Sequence, residues 1–157
     1  MRVRVRTWQS AYAHIFPAEQ LESLPEDAGL DGWRRVITEP YPRMHTLVAE
    51  VDGAVAGFAH LGKARDEAGE TGELFAIYVL PEASGAGVGR ALMAETLARL
   101  RAEGFAEAIL WVLEDNPRTH RFYELAGWRL DGGVKGEELL GTTVRELRYR
   151  IRLDRTA

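Results

Sequence analysis

The sequence has no cysteine among its 157 residues. Disulfides, thiolate-held metals and a cysteine nucleophile are therefore excluded. Its histidines, His14, His45, His60 and His120, show no metal-ligand spacing and read as surface or hydrogen-bonded residues, so no metal is expected. No apolar run is long enough to span a bilayer, and the opening MRVRVRTW lacks the apolar stretch of a signal peptide. No membrane partner is expected, and the cytoplasm is the default location. An excess of positive charge is also missing. The net charge of −4 and a pI near 5.6 argue against a nucleic-acid partner and are compatible with a cationic one. The 46% hydrophobic and 28% charged content is that of an ordinary globular chain, and the length fits one domain over residues 1–157.

The most informative stretch is residues 73–93, ELFAIYVLPEASGAGVGRALM. An apolar run of strand character leads to Pro81. Gly85, Gly87 and Gly89 then fall at alternate positions, and an amphipathic helix begins at once. Strand, glycine-rich loop and helix N-terminus together suit a phosphate group. Glycines let the backbone approach the anion, and the unpaired N–H groups and dipole of the first helical turn favour negative charge. A P-loop would need Lys and Ser/Thr after Gly89, where Arg90 and Ala91 stand. A Rossmann fingerprint from Gly85 and Gly87 would need its third glycine at Arg90.

The segment Ser84-Gly85-Ala86-Gly87-Val88-Gly89 resembles instead the Gln/Arg-x-x-Gly-x-Gly/Ala loop of the GNAT acyltransferases. It departs at the first position, where Ser84 replaces a long side chain that helps to hold a pyrophosphate. A second segment, residues 110–128, LWVLEDNPRTHRFYELAGW, resembles the C-terminal GNAT motif. In that motif an Asn ends a strand and a Tyr follows on the next helix. The N-terminal WQSAYAHIFP and C-terminal VRELRYRIRL are similar to one bacterial branch of the family, so the resemblance covers nearly the whole chain.

The residues themselves give a coarse order of elements. Residues 1–16 alternate like a strand at Arg2–Arg6, yet Val5, Trp8 and Tyr12 share a helical face; the resemblance favours a helix. GNAT chains usually carry an edge strand before it, which this sequence leaves no room for. Short helices are expected after Pro17 and over Gly32–Thr38. Strands are expected at His45–Val51 and Val55–Leu61 around an Asp52-Gly53 hairpin turn, and at Glu73–Val79. A helix over Val88–Glu103 should bury Val88, Leu92, Thr96 and Leu100 and end at Gly104. Then come a strand at Ala108–Leu113, a helix at Pro117–Ala126, and strands near Glu137–Leu140 and Thr143–Leu153. The class is α/β (α+β), a mixed, mostly antiparallel sheet flanked by helices, with the first edge strand absent. The apolar C-terminal strand is a candidate for pairing across a homodimer.

The resemblance implies an acetyl-CoA-dependent N-acetyltransferase acting on an amine by direct attack. Acetyl-CoA would be held by Ser84, Gly85, Ala86, Gly87, Val88, Gly89 and Arg90, with Asn116 on the pantetheine arm. The Val79 or Leu80 amide would hold the oxyanion. Deprotonating a Lys-like amine at neutral pH costs roughly 4–5 kcal/mol, so a carboxylate near the acceptor is useful. By resemblance that base is Glu73, with Glu114 and Asp115 as weaker alternatives. Tyr123 would be the acid toward the thiolate, although proton transfer from a phenol to a thiolate runs uphill by roughly 2 kcal/mol. The plain alternatives are an exposed strand-end Glu73, a packed Tyr123, and an Asn116 that only caps a helix before Pro117. Trp8, Trp33 and Trp111 read as core. The acceptor would enter between the N-terminal helices and a 129–142 loop. A non-catalytic acyl-CoA sensor with the same fold is the competing reading.

Overall fold

The structure is a computed structural model that describes residues 1–27 and 29–153. The alternating pattern at residues 45–61 forms a hairpin of β1 (His45–Val51) and β2 (Ala54–Lys63). Asp52 and Gly53 turn the chain with φ of 51° and 76°, the left-handed pair that matches the twist of the flanking strands. β3 (Thr71–Val79) pairs antiparallel with β2 and parallel with β4 (Glu107–Leu113). β5 (Arg129–Leu139) and β6 (Thr142–Arg152) form a second hairpin, and the sheet order is β1-β2-β3-β4-β6-β5.

α1 (Arg2–Ala11), α2 (Ala18–Glu22) and α3 (Leu30–Thr38) pack on one face of the sheet. α4 (Val88–Ala102) and α5 (Pro117–Leu125) pack on the other. The N-terminal segment is helical from Arg2, and no strand precedes it among the described residues. Val3 and Val5 of α1 are both buried although residues two apart lie on different sides of a helix, so the Arg–Val alternation is no mark of a strand here. On α4 the stripe Val88, Leu92, Thr96 and Leu100 is buried, and Gly104 ends the helix with φ of 84°. Among the described residues, no helix is long and apolar enough to cross a membrane.

Two expectations are corrected. Most of residues 129–142 is not a loop: β5 starts at Arg129 and pairs with β6. Asp131, Gly132 and Gly133 have turn composition, but β6 supplies bonds on both sides of them, and the register merely shifts between Leu130 and Val134. The C-terminal strand cannot pair with a second chain, because β6 is flanked by β4 and β5. The sheet edges are β1 and β5.

Candidate functional site

β3 and β4 pair only at Thr71–Glu107, Gly72–Ala108 and Glu73–Ile109. Beyond these the two strands part, and Leu74–Val79 and Leu110–Leu113 are not partners of one another. β4 meanwhile stays paired with β6 as far as Leu113–Glu146. Parting exposes the facing backbone edges of two parallel strands, whose N–H and C=O groups need partners. An extended amide-bearing ligand would meet that need.

The glycine loop follows β3. Gly85 and Gly87 have φ of 83° and 87°, the left-handed region that favours glycine. A Cβ at either position would meet nothing within 4 Å, so the loop's outer side is open. Gly87 is the N-cap of α4, and among the described residues no side chain caps it and no acidic residue stands in the first turn. The first backbone bond of this helix runs from Ala91 N–H to Gly87 O. The amides of Val88, Gly89 and Arg90 therefore have no i−4 partner inside it. Gly89 is different: a Cβ there would lie 3.5 Å from Phe122, at ordinary contact distance, so this position faces α5 rather than open space. The exposed Arg90 stands in the same turn. Arg118, in the first turn of α5, donates a hydrogen bond to the Ser84 hydroxyl. Sequence reasoning did not find Arg118, because nothing local links it to position 84.

Just after β3, the Leu80 N–H donates to Ala56 O at 2.8 Å, across to β2. That bond takes Leu80 out of the oxyanion role expected for it. Successive amides of a strand point to opposite edges, so the Val79 N–H faces the side from which β4 has departed. The Val79 carbonyl accepts a hydrogen bond from Thr7 Oγ1 at 3.0 Å, which ties α1 to this point.

Asn116 is buried and caps α5, its Oδ1 accepting from the Thr119 N–H at 3.4 Å. Tyr123 is buried at 7% exposure, edge-on to Phe122 and Trp128. Burial pushes its hydroxyl pKa well up, and Tyr78 adds to the shift. Tyr12 is raised in the same way, by burial first and then by Tyr78, Tyr123 and Glu146. Three tyrosines, Tyr12 at the end of α1, Tyr78 on β3 and Tyr123 on α5, thus lie close enough to influence one another. The sequence pointed to Tyr123 alone, since the other two come from distant elements.

Glu73 is half-buried, at the last paired position of β3 before the strands part. Burial raises its carboxyl above the ordinary value, against the opposing Arg65 backbone N–H and the charges of Arg65 and Lys135. Glu114 is paired with Arg145 at 3.1 Å, and the Asp115 backbone oxygen is held by His14. A carboxylate the sequence did not single out, Glu146, faces Leu113 from β6. Burial lifts its pKa as well, with Lys135 opposing and Glu137 adding to the rise.

Residues 5–128 match the sequence profile described as the Acetyltransferase (GNAT) family. The chain belongs to this family. It is 36% identical over 118 residues to an uncharacterised N-acetyltransferase, YuaI, of Bacillus subtilis, a stretch covering 74% of this chain and 65% of that protein. Over 110 residues it is 41% identical to a mycothiol acetyltransferase of Frankia casuarinae, covering 63% of this chain but 31% of the relative. The chain thus spans less than two thirds of the length of these relatives. Among solved structures, the PaiA N-acetyltransferase of Thermoplasma acidophilum, in complex with coenzyme A, superposes with a TM-score of 0.71 at 22% identity, covering 96% of this chain and 88% of the other. Salmonella typhimurium YncA, solved with its cofactor acetyl-CoA, gives 0.68 at 21% identity over 98% and 88% of the two chains. These two likenesses concern the fold.

The GNAT fold places the open glycine loop beside the gap between β3 and β4. A pyrophosphate suits the loop, since first-turn amides lie free there beside the Arg118 guanidinium, without a competing carboxylate in the helix's first turn. An amide-bearing arm suits the parted strands.

Proposed function

We infer that this chain transfers an acetyl group from acetyl-CoA to a primary amine by direct attack. The reading rests above all on one observation: β3 and β4 part just beyond Glu73, and β3 then runs on to the open glycine loop. Acetyl-CoA would supply a thioester whose acyl carbon accepts the amine. Ser84 to Arg90, together with Arg118, would hold its pyrophosphate, and Asn116 would fix the start of α5 beside the pantetheine arm.

Glu73 accepts, relayed through water, the proton that the acceptor ammonium must lose, because it stands toward the far end of β3 from Val79. Its burial favours this role, because a carboxyl with a raised pKa is a better base near neutrality. The Val79 N–H is aimed at the acyl oxygen, where a fixed donor in a water-poor cleft stabilises the charge that develops. As the new C–N bond forms and the C–S bond breaks, the Tyr123 hydroxyl donates a hydrogen bond to the leaving sulfur. Its upward shift makes complete proton transfer costlier than for a free phenol, so hydrogen bonding is the favoured role.

Release of CoA thiol from acetyl-CoA, followed with a thiol-reactive dye over a panel of amines, tests the reading. The protein contributes no background, because it has no cysteine. Acceptor-dependent release supports transfer. Tight acetyl-CoA binding without release on small amines or peptides favours a sensor instead.

A further inference from the structure

On the sheet face that carries α1, the residues beside Glu73 are not all core. Trp111 on β4 is half-buried, and Lys135 Nζ lies 4.5 Å from its ring centroid. The same ammonium is 3.2 Å from Glu146 Oε2. That oxygen is buried, and among the described residues no group meets it in good hydrogen-bond geometry. A ring face and a desolvated carboxylate together make a cation site.

Its present occupant is a poor fit for a structural role. The Lys135 side chain is 42% exposed, on the edge strand β5. Arg148 also approaches the ring, at 5.6 Å, but is fixed by Asp131 and Glu67. Lys135 is therefore the group that can leave. The surroundings connect the site to the gap: Lys135 lowers both the Glu73 and the Glu146 pKa, and Glu73 stands where β3 and β4 part.

We propose that the Trp111 ring and the Glu146 carboxylate bind the ammonium group of the acceptor, an unbranched alkylammonium such as a lysine side chain or a diamine, and that Lys135 fills this site as a tethered mimic until the acceptor displaces it. The proposal rests on the acetyltransferase reading for its purpose, but not for its test. Lys135 itself supplies the shape argument: a straight four-carbon chain ending in an ammonium already reaches both partners. A tethered competitor acts at high effective concentration, so removing it should open the site.

The test follows the Trp111 indole N–H resonance in 15N-labelled protein, assigned by Trp111→Phe, during titration with n-butylammonium and, separately, n-butanol. In Lys135→Met the butylammonium midpoint should fall about tenfold below that of the wild type, and Glu146→Gln should raise it by about tenfold, as expected for an ion pair and ring contact. Butanol should leave the resonance in place. Equal midpoints in wild type and Lys135→Met, an equal response to butanol, or no response in Lys135→Met would overturn the proposal. None of these readings needs turnover, so a failure of acetyl transfer is scored separately by the thiol-release assay.

Discussion

Arg118, in the first turn of α5, donates a hydrogen bond to Ser84, the one loop residue that departs from the GNAT pattern. A serine cannot reach a phosphate as Gln or Arg would, but it can orient a guanidinium that comes from elsewhere. Arg118→Ala should weaken acetyl-CoA binding by about fivefold, the upper range for an exposed charged contact, and reduce its salt dependence. Calorimetric titration at two ionic strengths measures both. An unchanged affinity would leave Ser84 without a substitute.

Gly87 sets the entry to α4 with φ of 87°. An alanine there is strained by about 1–2 kcal/mol and places a methyl group on the open, ligand side of the loop. Gly87→Ala should lower Tm modestly and weaken acetyl-CoA binding, whereas Gly89→Ala, inside α4 and meeting Phe122 only at ordinary contact distance, should leave Tm unchanged or slightly raised. Thermal melts with and without acetyl-CoA separate the two effects.

Tyr123→Phe removes a hydroxyl and keeps the ring that packs on Phe122 and Trp128. Loss of a hydrogen bond to a developing thiolate should cut kcat by about 10- to 100-fold, with acetyl-CoA affinity nearly intact. Equal kcat values for the two proteins would mean that Tyr123 serves packing alone.

Glu73→Gln carries opposite signs for rate and stability. Turnover should fall by about 100-fold or more for loss of a general base, and the wild-type rate should decline as pH falls through the raised Glu73 pKa. Because that pKa is raised in the folded state, the native protein holds the proton more tightly than the unfolded chain does. Stability therefore decreases as pH rises from the ordinary carboxylate value through the folded one. At neutral pH the variant should melt higher than the wild type, and the gap should close at acidic pH below the ordinary carboxylate range. Melting curves across pH, paired with rates, check both signs.

The sequence alone was enough for the order of elements, the Asp52-Gly53 turn, the buried stripe of α4 and the glycine loop. Each of these is a local matter: a period, a turn composition, a helix start. The same locality explains the errors. Asp131-Gly132-Gly133 looks like a turn from its own residues and stays within a strand only because β6 lies beside it. Leu80 looked equivalent to Val79 until the bond from its N–H to Ala56 O assigned their amides to opposite edges.

What the tertiary structure decided is which groups meet. The parting of β3 from β4, the meeting of Tyr12, Tyr78 and Tyr123, and the approach of Lys135 to Glu146 and Trp111 join residues from elements far apart in the chain. Periodicity and turn chemistry state which face of an element is buried. They do not state which element lies across that face, and burial beside a particular neighbour is what raises the Glu73, Glu146 and Tyr123 pKa values and leaves Val79 facing the gap.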